Sequence, residues 1–417
     1  MDIKSCAPSV EVPASKSILC RALLLSAFSS DTVRLQIGAL CEDTRAFIGC
    51  LRALGVAISE QSGTLIVRGC NGNFVRGVML DVKNSAATAR FLAAAIAFCG
   101  GDAVFTASES MSKRPMSFLK LLEGAGARIE PLQQNSLFPF RMRSDGIHEK
   151  VFQVDTAEST QYASGILMAA SANAPACVKL EGPRTESGYL NITLSLMRAF
   201  NVDFIKHENT ITILSRKAAP AQLKIEADLS SACYFGALAM LARTKILIRN
   251  ATTCSLQPDL KFLLLLKERG LVLTETEQGL LADGTRVESF EGFDEDFSGF
   301  SDQALTAAAL APFATTPTRI RNVAHIRRQE CDRMQAIFEN LTALGVPVKM
   351  NENEIEIEPA PVRATEIKTF SDHRVAMAFA LVGARCPVVI DDPSCCSKTF
   401  ERYFQELNGL NLFDKVF

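Results

Sequence analysis

The sequence predicts an α/β protein of two domains, built from six repeats of about 70 residues, three per domain. Three observations predict it: the chain length, a recurring serine-led helix start, and a recurring glycine stop followed by paired strand-like runs. At 417 residues the chain exceeds what one hydrophobic core usually spans, so two domains are expected. Apolar residues at 48% and charged residues at 22% are an ordinary globular composition.

The starts come first. Ser15-Lys16-Ser17, Ser85-Ala86-Ala87, Ser159-Thr160-Gln161, Ser230-Ser231-Ala232, Ser301-Asp302-Gln303 and Ser371-Asp372-His373 each open an apolar run rich in small residues. Their first serines lie 70, 74, 71, 71 and 70 residues apart. A serine hydroxyl accepts a bond from an otherwise unpaired amide of the first turn, so each is an expected N-cap. The stops share that period. Helix-like runs end at Gly55, Gly126, Asn201, Gly270, Gly345 and Gly409, where a left-handed cap is expected. Paired alternating runs follow five of them, such as Val56–Ser59 with Thr64–Arg68, Val202–Lys206 with Thr210–Leu214, and Val346–Met350 with Glu354–Glu358. They read as hairpins. Each copy is therefore a capped helix, a strand, a second helix and two strands. This is not a doubly wound sheet, because strands and helices do not alternate one for one.

Composition also narrows the function. A net charge of −2 argues against a broad nucleic-acid or anionic-membrane surface. Met1–Val10 lacks the apolar core of a signal peptide, and Ala22–Phe28 is too short to span a bilayer. The 13 cysteines are scattered without a CxxC pair, which favours small buried thiols in the cytoplasm over disulfides or zinc. The four histidines, His148, His207, His325 and His373, show no metal-ligand spacing. No P-loop, dinucleotide fingerprint or GxSxG motif is present. Neither a metal nor a cofactor is expected.

Helix N-termini carry free amides and about half a positive charge, so six of them facing a common cleft would suit phosphates and carboxylates. The neighbouring side chains fit that use. Lys16 and Arg21 sit on the first start, Asn84 and Arg90 on the second, Gln161 on the third, Asp302 on the fifth, and His373 and Arg374 on the sixth. Lys113-Arg114-Pro115, Arg327 to Arg333 and Lys398 add further cations.

Pro13-Ala14-Ser15-Lys16-Ser17 with Arg21 resembles the P-[GA]-S-K-S-x-x-x-R opening of the 5-enolpyruvylshikimate-3-phosphate (EPSP) synthase family. The resemblance continues in order through Asn84 to Arg90, Lys113-Arg114-Pro115-Met116, Ser159-Thr160-Gln161, Ser301-Asp302, Glu330-Cys331-Asp332-Arg333, Ser371-Asp372-His373-Arg374 and Ser397-Lys398-Thr399-Phe400. It implies a two-domain inside-out α/β barrel with crossings near residues 14 and 226. One domain would be 15–227 and the other 1–14 plus 228–417, with a cleft that closes on substrate. It implies transfer of the enolpyruvyl group of phosphoenolpyruvate to the 5-hydroxyl of shikimate 3-phosphate by a cytoplasmic monomer. The two substrates bring roughly six negative charges, given a second phosphate pKa near 6, which calls for several cations.

By the same resemblance, Lys16, Ser17, Arg21, Ser159, Thr160 and Gln161 would hold shikimate 3-phosphate, with Asp302, Gln329, His325, Ser187 and Tyr189 also on the acceptor side. Lys16, Asn84, Ala86, Arg114, Gln161, Arg333, Arg374 and Lys398 would hold phosphoenolpyruvate. Asp302 would be the base for the 5-hydroxyl and Glu330 the acid that protonates the methylene carbon, with Lys16 also catalytic. Such opposite duties need different environments. Three departures stand out. Gln329 replaces a common lysine, for which Arg327 or Arg328 is a candidate substitute. Ala86 replaces a common glycine, which implies weak sensitivity to glyphosate, a longer mimic of phosphoenolpyruvate. Thr185-Glu186-Ser187-Gly188-Tyr189 fits the family's S-x-P-Y pattern imperfectly. The alternatives are a UDP-N-acetylglucosamine enolpyruvyl transferase, disfavoured because Ser110 to Arg114 contains no cysteine, and a non-catalytic anion-binding relative.

Overall fold

Six copies of one α/β pattern make up the protein, a computed structural model that describes residues 7–412. Within a copy a short strand leads into a helix, which returns to a parallel strand. A second helix then leads to an antiparallel hairpin. The sheet holding Val78–Asp81, Gly101–Thr106, Ser136–Ser144 and Arg128–Gln133, in that spatial order, shows it plainly. Val78–Asp81 pairs in parallel with Gly101–Thr106 across the helix Ala86–Cys99, and the other pairings are antiparallel. Five sheets have four strands with this order, and the last pairs Thr365–Ile367 with Val388–Ile390. A strand followed by a helix and a parallel strand is the usual compact crossover.

The described chain falls into two compact units, residues 14–225 and residues 7–13 with 226–412. In the first, Gln222–Lys224 comes last in sequence yet pairs in parallel with Thr32–Gln36, completing the first sheet. In the other, Ser9–Glu11 does the same for Lys245–Arg249. The beginnings and ends of the sequence-based domains, Met1 to Cys6 and Asp414 to Phe417 with Phe413, lie outside the described residues.

The helices that lead each copy are the core. Every residue of Leu229–Leu241 is buried, and Ala86–Cys99 is buried along nearly its whole surface. Apolar side chains all around a helix leave no face for water, so these helices sit inside while sheets and second helices cover them. Small residues let them approach. At Gly165 an added methyl would sit 3.4 Å from Ala94 Cβ and from the Arg90 carbonyl oxygen.

The stops behave as read: Gly55, Gly126, Asn201, Gly270 and Gly345 all have positive φ. Gly409 instead closes the helix Tyr403–Gly409, and Asn411 two residues later takes the positive φ. The starts differ more. Ser85 and Ser159 cap with their side chains, but Ser15 sits at the cap position without such a bond. Asp228 and Asp372 cap the fourth and sixth helices in place of Ser230 and Ser371. The fifth opens as a 3-10 turn, Ser301–Gln303. Carboxylates accept these amide bonds better than hydroxyls, being charged. Asp228 Oδ1 accepts from the Ser231 amide at 2.8 Å. Asp228→Ala is therefore expected to cost about 1 kcal/mol, read as a lower urea midpoint with unchanged slope.

No helix among the described residues is long and apolar enough to cross a membrane. The twelve described cysteines are free thiols. No group of three or more His, Cys, Asp or Glu side chains that could hold a metal lies among the described residues.

Candidate active site

In the unit of residues 14–225, the first helix, Lys16–Ala27, offers Lys16, Ser17 and Arg21 along its N-terminal turns. Lys16 Nζ meets Asp43 Oδ2 at 2.8 Å, with Asp43 almost wholly buried. Arg21 is buried at 3% exposure. Its guanidinium donates to Thr193 Oγ1 at 2.8 Å, to Ser164 Oγ at 3.1 Å and to the carbonyls of Ser17 and Tyr189. Burial lowers its pKa to about 10, still well above neutrality, so it remains a cation. Its partners are neutral oxygens, so the charge stays uncompensated by these contacts.

The second and third leading helices meet through Arg90. Its Nη1 donates to Ser159 Oγ at 3.1 Å and to Gln161 Oε1 at 2.8 Å, and its Nη2 donates to the Pro115 carbonyl at 2.8 Å. The Tyr162 hydroxyl lies 2.7 Å from Glu158 Oε2, to which it donates, and 2.8 Å from that same carbonyl. Arg90 thus fixes the loop carrying Arg114 against the helix start carrying Ser159, Thr160 and Gln161. Asn84 and Ala86 flank Ser85 at the start of the second leading helix, with Ala86 5% exposed. Ser187 caps Gly188–Ala199 by accepting from the Tyr189 amide, and the Tyr189 carbonyl accepts from Thr193 Oγ1. Those bonds use one lone pair of the Ser187 hydroxyl, leave its proton unengaged by them, and hold the Tyr189 backbone in the local turn.

The other unit carries a charge cluster. Arg333, 1% exposed, donates from Nε to Asp372 Oδ2 at 2.7 Å, from Nη1 to Asp302 Oδ1 at 3.0 Å and from Nη2 to Glu330 Oε2 at 2.9 Å. Arg374 Nη2 meets Asp302 Oδ2 at 2.7 Å, and Lys398 Nζ meets Glu330 Oε1 at 3.4 Å. Three cations thus face three carboxylates. Burial alone would lower the Arg333 pKa, but Asp372, Glu330 and Asp302 together push it up. Asp302 and Glu330 share Arg333 yet differ in their second cation: a planar guanidinium for one, an ammonium for the other. Gln329 Oε1 accepts from Arg333 Nη1, so this residue contacts the cluster. Arg327 is engaged with Asp332 and the Asn351 carbonyl, and Arg328 is exposed. His325 Nε2 lies 2.9 Å from Ser301 Oγ.

With this geometry in hand, likeness to known proteins decides the family. The EPSP synthase (3-phosphoshikimate 1-carboxyvinyltransferase) model matches residues 2–407. The chain belongs to that family. Among its relatives, the 3-phosphoshikimate 1-carboxyvinyltransferase 2 of Halalkalibacterium halodurans is 34% identical over 412 residues, covering 97% of this chain and 92% of that protein. The 3-phosphoshikimate 1-carboxyvinyltransferase of Nostoc punctiforme is 34% identical over 404 residues, covering 95% and 94%. The EPSP synthase structure from Acinetobacter baumannii superposes with a TM-score of 0.76 at 23% identity, covering 96% of this chain and 95% of that one. NikO from Streptomyces tendae, an enolpyruvyl transferase, gives 0.73 at 15% identity, with 97% and 94% covered. These last two show the shared fold.

Four residues of this EPSP synthase family member outside the ligand and catalytic sets assigned by resemblance lie against candidate site groups. Asp43 pairs with Lys16, Arg90 anchors Ser159 and Gln161, Asp372 anchors Arg333, and Asp259 lies beside Asp302, as described below. Arg90 and Asp372 stand within the motif segments, which was a usable signal. Asp43 and Asp259 stand outside every motif.

Proposed function

We propose that the chain transfers the enolpyruvyl group of phosphoenolpyruvate to the 5-hydroxyl of shikimate 3-phosphate, releasing phosphate. The observation that carries this reading is the cluster of Arg333, Arg374 and Lys398 on Asp302 and Glu330, in a chain of this family. In this assignment Asp302 takes the hydroxyl proton as the oxygen attacks C2 of phosphoenolpyruvate. Glu330 delivers a proton to the methylene carbon, which becomes a methyl group. The C2–O bond to phosphate then breaks, and the Glu330 carboxylate takes back a methyl proton, which restores the double bond. General acid–base partners of this kind supply typically about 10²–10⁴-fold.

The cations have a second task. Phosphoenolpyruvate brings a phosphate and a carboxylate, and each can replace a protein carboxylate on Arg333, Arg374 or Lys398, with Arg114, Gln161 and Lys16 as further ligands. Such replacement frees Asp302 from its two guanidinia for the hydroxyl. Arg21, Ser17, Ser159 and Thr160 are assigned to the shikimate phosphate, the charge of Arg21 meeting only neutral oxygens in the contacts above. Gln329, His325, Ser187 and Tyr189 remain assigned to the acceptor, and Asn84 and Ala86 to the donor. No cofactor enters the scheme. The reading takes the chain to be a cytoplasmic monomer, and the free thiols of its described cysteines suit a reducing compartment.

Phosphate release with shikimate 3-phosphate, but not with UDP-N-acetylglucosamine as acceptor, is the expected result; release only with the latter would sink the assignment. The Ala86 methyl, buried in the first turn of its helix, is expected to crowd glyphosate more than phosphoenolpyruvate. Inhibition is expected to be weak and to tighten at least tenfold in Ala86→Gly. Tight inhibition of the unaltered protein at low micromolar concentration would refute this.

A further inference from the structure

A buried carboxylate that the scheme above does not use lies next to its central pair. Asp259, 2% exposed, precedes the helix Leu260–Glu268. Its Oδ1 accepts from Gln303 Nε2 at 2.7 Å and from Ser230 Oγ at 2.8 Å. Gln303 is the residue after Asp302. Ser230 Oγ in turn accepts from Arg374 Nη2 at 3.4 Å, while Tyr234 accepts from Arg374 Nη1 at 3.4 Å. One oxygen of Asp259 therefore ties together the turn that carries Asp302 and the hydroxyl that touches Arg374. A neutral acceptor would satisfy both donors; a charge in so dry a place is costly, which calls for a reason.

We infer that Asp259 is a positioning residue of the transferase, holding Asp302 and Arg374 in register through Gln303 and Ser230 and placing a second negative charge beside Asp302. This rests on the reading of Asp302 and Arg374 as part of the reacting site. The charged groups that Asp259 faces are Asp302 and Arg374. Cys233, whose thiol donates to the Asp259 carbonyl, is pushed well up by burial and then by Asp259 and Asp228. Burial, and then Asp302, raise Asp259 to about 6, against the lowering pull of Arg374. The sign follows. A carboxyl raised in the folded state binds its proton more tightly there than when unfolded. Ionised Asp259 thus burdens the fold above about pH 6 and is relieved as pH falls through that value. Neighbouring carboxylates that repel each other each hold protons more strongly, so Asp259 favours the proton that Asp302 must accept.

The test compares the unaltered protein with Asp259→Asn and Asp259→Ala, reading phosphate release from pH 5 to 9, equilibrium affinity for phosphoenolpyruvate with shikimate 3-phosphate present, and the melting temperature at about pH 7.5. The amide of Asp259→Asn keeps an acceptor oxygen without the charge. It is expected to melt no lower than the parent, to lose three- to tenfold in kcat, and to shift the acid limb of the profile to lower pH. Asp259→Ala also removes both hydrogen bonds. It is expected to lose at least thirtyfold in kcat and fivefold in affinity for phosphoenolpyruvate. An Asp259→Asn profile superimposable on the parent's overturns the inference, even if Asp259→Ala is unstable, because the role would then be structural only. An unaltered protein that neither binds phosphoenolpyruvate nor releases phosphate overturns the transferase reading and this inference with it. A working parent beside unperturbed variants overturns this inference alone.

Discussion

Arg333→Met is expected to remove measurable phosphate release and to destabilise the protein by about 3–5 kcal/mol, the usual range for stripping one partner from a buried ion pair. The methionine fills most of the volume, so the cost is electrostatic. Asp372, with a fully buried side chain, would lose its bond from Arg333 Nε, and Asp302 and Glu330 would lose the cation they share. Asp372 would still cap the helix through the Arg374 amide at 2.8 Å, now as a buried charge short of compensation. Arg333→Lys should recover little, because one ammonium cannot reproduce a planar fork that reaches three carboxylates. Urea unfolding and a phosphate-release assay check both variants. A variant within 1 kcal/mol of the parent and within tenfold in kcat would mean that the cluster is neither a keystone of the fold nor part of the site.

Asp302→Asn is expected to lower kcat by about 10²–10⁴-fold, the range for a general base, with a far smaller loss of stability than Arg333→Met. The amide is isosteric, and Arg333 keeps Glu330 and Asp372 as partners. Affinity for phosphoenolpyruvate should hold or tighten, since the amide competes less for Arg374. A fall in kcat without a rise in KM is therefore the signature of a base rather than of a ligand. If kcat stays within threefold, the hydroxyl proton goes elsewhere, and Glu330→Gln becomes the next variant to measure.

The repeat was legible because it is written in local chemistry. Positive φ after a helix nearly requires glycine or asparagine, and Gly55, Gly126, Asn201, Gly270 and Gly345 supply it. Alternating runs such as Thr64–Arg68 and Thr210–Arg216 are long enough to declare a half-buried strand. The leading strand of each copy was missed; Val78–Asp81 and Val151–Asp155 have four and five residues, but Ser9–Glu11, Gln222–Lys224, Asp294–Asp296 and Thr365–Ile367 have three each. Three residues hold no periodicity. The choice between neighbouring caps was also hidden: Asp228 rather than Ser230, Asp372 rather than Ser371. It turns on where the chain enters the helix, which the strand before it decides.

The candidate site divides in the same way. The residue types, their order and their placement at helix starts are properties of the sequence, and they suffice to announce anion chemistry and a family. What the sequence could not give is who faces whom. Asp43 lies 27 residues from Lys16, Asp372 39 from Arg333 and Asp259 44 from Gln303. No turn or periodicity links such positions; they meet because the second helix of a copy packs against a leading helix, that of its own copy for Asp43 and that of the next copy for Arg333 and Asp259. The chain alone determined six copies and a supply of charge. Only packing decided that three carboxylates would share Arg333 and that a further one, Asp259, would be buried beside them, because burial and charge pairing depend on distances in space rather than along the chain.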